Sequence, residues 1–273
     1  MVVFPHVKIN IGLRVIRRRQ DGYHDLETVF YPVSWSDILE ITQGENSAQL
    51  HLSGLELEGN AADNLCMKAY QLLSADFALP ALEFFLHKLV PSGAGLGGGS
   101  SDAAFTLRLI NQFCNLGLSD TRLENYAGKL GSDCAFFVQG IPSLATGRGE
   151  IMRPVSISLK DYHILVVVPP VHVSTREAYA GVKPMEPAER LEELITTPVE
   201  RWRDKIINDF EQSVFIRNPE ISRIKSALYE AGAVYASMSG SGSALYALFK
   251  DEKGLNLQWD NCTVYLDRKG MHP

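Results

Sequence analysis

The feature that most constrains this chain is a run of twelve residues, Pro91-Ser92-Gly93-Ala94-Gly95-Leu96-Gly97-Gly98-Gly99-Ser100-Ser101-Asp102. Five glycines fall within the seven positions from Gly93 to Gly99. Glycines add nothing to a core; they permit positive φ and close approach of main-chain amides to another group. The run follows Leu82, Phe84 and Leu86, whose alternation reads as a strand ending at Pro91. It precedes Ala103, Leu107, Ile110 and Cys114, spaced as one face of a helix. A strand, a glycine loop and a helix start in that order offer unpaired N–H groups and a partial positive charge, the makings of a phosphate cradle. Ser100 and Ser101 add hydroxyls there, as donors or as metal ligands.

Other readings of the run are weaker. Gly93, Gly95 and Gly98 spell the dinucleotide fingerprint GxGxxG, which needs a second parallel strand ending in an acid roughly 20 residues on. The pattern after the first helix is another helix, and Asp120 merely precedes it. A Walker A loop is excluded because no lysine follows the glycines. A plain strand-to-helix turn would need only one or two glycines.

Elsewhere, Val7 to Arg19 alternates as a strand, Asp21-Gly22 signals a hairpin turn, and a second strand runs from Leu26 to Val33. Arg17, Arg18 and Arg19 read as a solvated turn. A helix is expected over Ala61 to Phe77, started by Asp63 or Asn60, and a second from a capping box at Thr121-Arg122-Leu123-Glu124 to near Gly131. Pro154 and alternating serines mark a boundary between Gly149 and Lys160, giving domains 1–154 and 155–273. Tyr162 to Val168 is a buried strand. Asn218-Pro219 opens a helix with Asn as N-cap and Gly232 past its end, burying Ile221, Ile224, Leu228 and Ala231. Val234 to Met238 and Leu245 to Phe249 flank a second Gly/Ser loop. Strands and paired helices without regular βαβα alternation predict an α+β protein of two domains.

The 273 residues carry 26 basic and 32 acidic side chains, a net charge of −6, which argues against a general nucleic-acid binder. No segment reaches the roughly 18 apolar residues of a membrane span. No secretory or transit segment is visible, so a cytoplasmic protein is expected. Cys66, Cys114, Cys134 and Cys262 form no CxxC pair, which predicts reduced thiols and no zinc site.

Three further places bear on chemistry. Lys8 and Asn10 sit on the face of the first strand opposite Ile9 and Ile11. Singly, Lys8 reads as a snorkelling edge residue. Asp133 stands in Gly131-Ser132-Asp133-Cys134-Ala135-Phe136-Phe137 and singly reads as a cap. Ser239-Gly240-Ser241-Gly242-Ser243 is a second loop of backbone donors. Together with the glycine run, a lysine, an aspartate and this loop make a phosphoryl-transfer site.

On these residues the chain resembles the GHMP small-molecule kinase superfamily along nearly its whole length. Lys8-Ile9-Asn10-Ile11-Gly12-Leu13 matches the first motif, Gly93 to Ala104 the ATP loop, and Asn208-Asp209-Phe210-Glu211 and Ser239 to Ala244 later blocks. Asp21-Gly22-Tyr23-His24, with Leu26 and Thr28, is similar to the signature of the branch whose alcohol carries a cytidine diphosphate. That signature separates the chain from homoserine, mevalonate and galactose kinases. Ala135 departs from the proline usual in the family.

The resemblance implies an N-terminal ribosomal protein S5 domain 2-like fold, a C-terminal ferredoxin-like α/β sandwich, and ATP with Mg2+. It implies phosphorylation of a hydroxyl of cytidine diphosphate methylerythritol, in non-mevalonate isoprenoid synthesis of bacteria. By the same resemblance Asp133 orients the hydroxyl and accepts its proton, and Lys8 holds Asp133 ionised and stabilises the transferring group. Pro91, Gly93, Ala94, Gly95, Leu96, Gly97, Gly98, Gly99, Ser100 and Ser101 bind ATP, the loop amides from Gly95 to Ser101 taking its β- and γ-phosphates, with Asn64 and Leu65 near the adenine. Ser100 or Ser101 ligates the metal. Tyr23 and Tyr179 sandwich the cytosine, His24 reads its edge, and Asn10, Thr175 and Ser241 anchor the substrate. A monomer or weak dimer, with no nucleic-acid or membrane partner, is expected. Rival readings are a GHMP kinase for another alcohol, a nicotinamide-dependent oxidoreductase, and a binding module without turnover.

Overall fold

The computed structural model describes residues 1–57, 60, 63–255 and 259–270. The first half of the chain runs β1 (Val2–Val3), β2 (His6–Arg18), β3 (His24–Ser36), β4 (Ile38–Gln43), β5 (Gln49–Gly54), α1 (Leu65–Ser74), β6 (Leu82–Lys88), α2 (Gly98–Phe113), α3 (Asp120–Leu130) and α4 (Phe136–Gln139). The second runs β7 (Ser143–Thr146), β8 (Ile151–Pro154), β9 (His163–Val168), α5 (Thr175–Ala180), α6 (Leu191–Leu194), α7 (Phe210–Arg217), α8 (Pro219–Glu230), β10 (Tyr235–Met238), β11 (Leu245–Phe249) and β12 (Thr263–Asp267).

The chain packs as two compact units that interleave along the sequence. One holds Met1–Val7, Trp35–Ser92 and Gly97–Gly140; the other holds Lys8–Ser34, Gly93–Leu96 and Ile141–Pro273. The expected single cut after residue 154 does not describe this packing. The first hairpin groups with the C-terminal half because Leu13 and Val15 of β2 enter the core formed by β9, β11, α7 and α8.

The first unit is built on a sheet of order β1-β4-β6-β5. Its β5–β6 pair is parallel, so the connection must cross over, and α1 makes that crossing. Along β6, Leu82, Phe84 and Leu86 are buried and Phe85 is exposed, the period of a sheet covered on one face. Helices α1, α2 and α3 pack on one another. Two helix starts differ from expectation. Asn64, not Asp63 or Asn60, caps α1, accepting from the Cys66 amide at 2.9 Å. Ala61, where the helix was expected to begin, lies outside the described residues. Ser119, not Thr121, caps α3. Asn111 bonds both the N–H and the C=O of Leu118, at 2.9 and 3.0 Å, which fixes the chain just before that cap.

The second unit carries two sheets, β2-β3-β7-β8 and the antiparallel β10-β11-β9-β12. The six residues of β9 are all buried, which is why its apolar run shows no alternation. Phe210 and Val214 of α7 and Ile221 and Leu228 of α8 cover this sheet. Burying side chains of this size is worth roughly 1.5–3 kcal/mol each. Asn218 does not cap α8 with its side chain; its amide donates to the Val214 carbonyl at 3.1 Å and closes α7 instead. Arg17 and Arg19 are not simply solvated: both pair with Asp25 across the hairpin, at 2.5 and 2.9 Å.

Candidate phosphoryl-transfer site

Within the second unit, Lys8 is buried, with its ammonium 2.5 Å from Asn10 Oδ1 and 3.0 Å from the Gly95 carbonyl. The Phe30 ring lies beneath it, 5.2 Å from ammonium to centroid. Asn10 is oriented in turn by donating to Thr28 Oγ1 at 3.0 Å, and Thr28 donates to the Gly12 carbonyl at 2.5 Å. Lys8 is therefore a fixed cation at the glycine run, not an edge residue that reaches solvent. The main chain adds a second tie, since the Lys8 amide donates to the Leu96 carbonyl at 3.0 Å.

The Ser239–Ser243 loop closes the other side of Gly95. Ser239 Oγ donates to the Gly95 carbonyl at 2.8 Å, and the Ala244 amide donates to the Ala94 carbonyl at 3.0 Å. A Cβ on Gly95 would lie 2.1 Å from the Ser239 carbonyl, and its φ is +81°. Glycine is required here by the protein's own backbone, whatever binds nearby. Asn208 holds this loop by donating to the Met238 and Gly240 carbonyls, each at 2.8 Å.

Within the first unit, α2 begins at Gly98 with Gly97 as N-cap, and no side chain caps it. Its first turn thus offers amides and the positive end of a sixteen-residue helix. A Cβ on Gly99 would meet only Leu65 Cδ1, at 3.9 Å, which puts the Asn64–Leu65 helix start beside the turn. Ser101 is buried and donates to the His6 carbonyl at 2.6 Å, whereas Ser100 is half-buried. Ser100 hydrogen-bonds the Cys134 thiol, which burial pushes up to about 11. Asp133, one residue earlier, is therefore carried on a turn packed against the first turn of α2. At Ala135, φ is −62°, a value proline also adopts, so the departure from the family leaves the local backbone in place.

The residues expected around a base lie in the second unit. His24 stacks on Tyr179, with ring centroids 5.0 Å apart and 20° between planes, and Tyr179 meets Phe210 edge-on at 4.7 Å. Burial, then Arg18, lowers the His24 pKa. The exposed Tyr23 carries the Arg148 guanidinium 4.3 Å from its ring centroid. Thr175 Oγ1 and Ser241 Oγ are 3.0 Å apart.

One cluster had no local signal. Lys88, at the end of β6, is buried and pairs with Asp37 and with Asp102, the latter at 2.7 Å. Asp37 Oδ1 also accepts from the amides of Leu89 and Val90, at 2.6 and 2.9 Å. Burial pushes Asp102 up to about 7 against the pull of Lys88, and its Oδ1 has no hydrogen-bond partner. Only the spacing of Lys88 and Asp102 at the two ends of the glycine run could have hinted at it.

The four thiols form no disulfide, and no cluster of three metal-ligating side chains occurs among the described residues. Helix α2 leads into α3, so the strand that a dinucleotide site requires is not the next element. No helix of the described residues is long and apolar enough to cross a membrane.

Known proteins resemble this chain in sequence and in fold. Residues 64–141 match the family model of the GHMP kinases N terminal domain, and residues 191–260 that of the GHMP kinases C terminal. Both halves are thus those of a GHMP kinase. A 4-diphosphocytidyl-2-C-methyl-D-erythritol kinase of Bacteroides thetaiotaomicron is 52% identical over 255 residues, covering 92% of this chain and 93% of that one. A crystal structure of 4-(cytidine 5'-diphospho)-2C-methyl-D-erythritol kinase superposes with a TM-score of 0.80 at 31% identity, over 93% of this chain and 92% of the other. The chain belongs to this family of kinases within the GHMP class. The mevalonate kinase of Methanococcus jannaschii shares the fold, with a TM-score of 0.74 over 98% of each chain, at 15% identity.

Proposed function

We propose that this chain transfers the γ-phosphoryl group of ATP to the 2-hydroxyl of 4-diphosphocytidyl-2-C-methyl-D-erythritol, giving the 2-phosphate and ADP. The observation that carries the reading is identity near 50% over more than nine-tenths of both chains with kinases named for that substrate. Such transfer asks the protein for positioning and charge stabilisation more than for covalent chemistry.

The amides of the first turn of α2, from Gly97 to Ser100, hold the β- and γ-phosphates, with Asn64 and Leu65 towards the adenine. Asp133 orients the attacking hydroxyl and takes its proton as the O–P bond forms. Lys8, held by Asn10 and Gly95, stabilises the negative charge of the transferring group. Mg2+ takes few protein oxygens and keeps phosphate and water ligands. The half-buried Ser100 hydroxyl suits that demand better than Ser101, which is buried against the His6 carbonyl. The cation would offset phosphate charge. Tyr23, His24 and Tyr179 form the base end, and Thr175 and Ser241 anchor the polyol. Four thiols outside disulfides support a reducing, cytoplasmic setting, with a monomer or weak dimer as the working form.

The test is ADP release with the cytidine diphosphate substrate set against homoserine, mevalonate and galactose. Turnover with the first alone is expected. Equal or faster turnover with any of the others would overturn the substrate assignment.

A further inference from the structure

Residues that flank the glycine run in the chain are tied together through their side chains. Lys88 is the last residue of β6, and Asp102 is the fifth residue of α2. Every residue of the run from Pro91 to Ser101 lies between them in the chain. Their side chains meet at 2.7 Å, with both residues no more than 3% exposed. Asp37 anchors the entry side twice over, through the Lys88 ammonium and through the amides of Leu89 and Val90. A Cβ on Gly98 would sit 3.4 Å from Val90 Cγ1 and 3.7 Å from Lys88 Nζ, so the ammonium lies directly under the start of α2.

Two buried carboxylates on one ammonium are a poor way to stabilise a core. Apolar side chains of the same volume often do as well or better. Here one Asp102 oxygen is moreover left without a partner. What such a cluster does supply is a fixed length and direction between two backbone points.

We propose that the Lys88–Asp102 pair, anchored by Asp37, is a clamp that sets the span of the glycine run and pre-arranges the α2 amides for the triphosphate of ATP. The inference rests on the ATP-binding reading above. In this role Lys88 and Asp102 are positioning residues that touch neither nucleotide nor alcohol. Without the clamp, the start of α2 is held less firmly to the end of β6, ordering it falls in part to the nucleotide, and affinity drops by that cost.

The test compares the wild-type protein with the double variant Lys88→Met/Asp102→Leu and with Asp102→Asn. Calorimetric titration with ADP, steady-state kinetics and thermal unfolding are read on each. The apolar double variant leaves the buried Asp37 with only the Leu89 and Val90 amides, so its Tm is expected to fall by several degrees, and in the folded protein ADP affinity is expected to fall about tenfold, as expected for lost pre-ordering. The KM for ATP should rise by the same factor and the KM for the alcohol should stay put. A folded double variant that keeps ADP affinity overturns the clamp, whatever its Tm. Should the double variant not fold, Asp102→Asn decides, because it fills the same space while replacing the charged tie to Lys88 by a weaker neutral one. A several-fold loss of ADP affinity supports the clamp, and unchanged affinity overturns it. Wild-type protein that binds no ADP or ATP overturns the phosphate reading and the clamp with it. Wild-type binding with indifferent variants overturns the clamp alone.

Discussion

Two loops of this chain are rich in glycine and serine, and the elements that follow them differ. Gly93–Ser101 leaves a strand and runs into a sixteen-residue helix, whose first turn has no side-chain cap. Ser239–Ser243 joins two antiparallel strands, β10 and β11, and no helix follows it. Its hydroxyls are engaged within the protein: Ser239 with Gly95, Ser241 with Thr175, and Ser243 with the Pro169 carbonyl. Gly240 backs onto Gly95, where a Cβ would lie 3.1 Å from its Cα. The first loop ends in helix-dipole amides that no side chain caps; the Ser239–Gly240 part of the second braces Gly95. Glycine content alone therefore says little about ligand binding. The element that follows the glycines decides it, because only a helix start gathers amide dipoles towards one point.

The contrast can be broken by experiment, starting where the effect is largest. Asp133→Asn, on the turn packed against the first loop, should cut turnover by roughly 10²–10⁴-fold if it takes the proton. Calorimetry should find ATP binding nearly intact, and turnover within twofold of wild type would remove Asp133 from the mechanism. Tyr23→Ala should raise the KM of the cytidine substrate by roughly ten- to a hundredfold, the worth of a stacked base, with little change for ATP. Equal effects on both constants would contradict the stacking assignment.

In the brace, Gly240→Ala meets a φ of +55° and the Gly95 backbone. It should cost roughly 1–3 kcal/mol, seen as a Tm several degrees lower in a thermal melt. Gly99→Ala in the first loop should do the reverse. Its Cβ has room beside Leu65, and alanine favours a helix over glycine by roughly 0.5–1 kcal/mol. Its Tm should hold or rise slightly while the KM for ATP increases. A Gly99→Ala protein with an unchanged KM would mean that phosphates do not approach that amide.

Much of this was legible locally. The passage from strand to glycine run to helix needs only neighbours in sequence, and so does the alternation along β6. Helix starts were legible only to within a few residues. Thr121 and Ser119 are equally good caps in isolation; the second is the one used, just after Leu118, which Asn111 holds from seven residues back. Lys8 looked like an edge residue because nothing beside it reveals Gly95, 87 positions away. The Lys88 cluster was invisible for the same reason. Asp37, Lys88 and Asp102 each have an ordinary surface reading, and only the fold brings the three charges together out of water. Ser101, named with Ser100 as a metal ligand, is oriented by the His6 carbonyl, another contact that sequence separation hides.

The interleaving of the two units has a consequence for synthesis on the ribosome. Leu13 and Val15 belong to a core whose other strands and helices begin at His163 and extend to Phe249. At roughly 5–20 residues per second, those partners emerge roughly 7 to 50 seconds after the hairpin that needs them. During that interval the newborn hairpin exposes an apolar face with no native neighbour. Slowing translation of the first half should matter less to the yield of this protein than stalling in the last hundred residues.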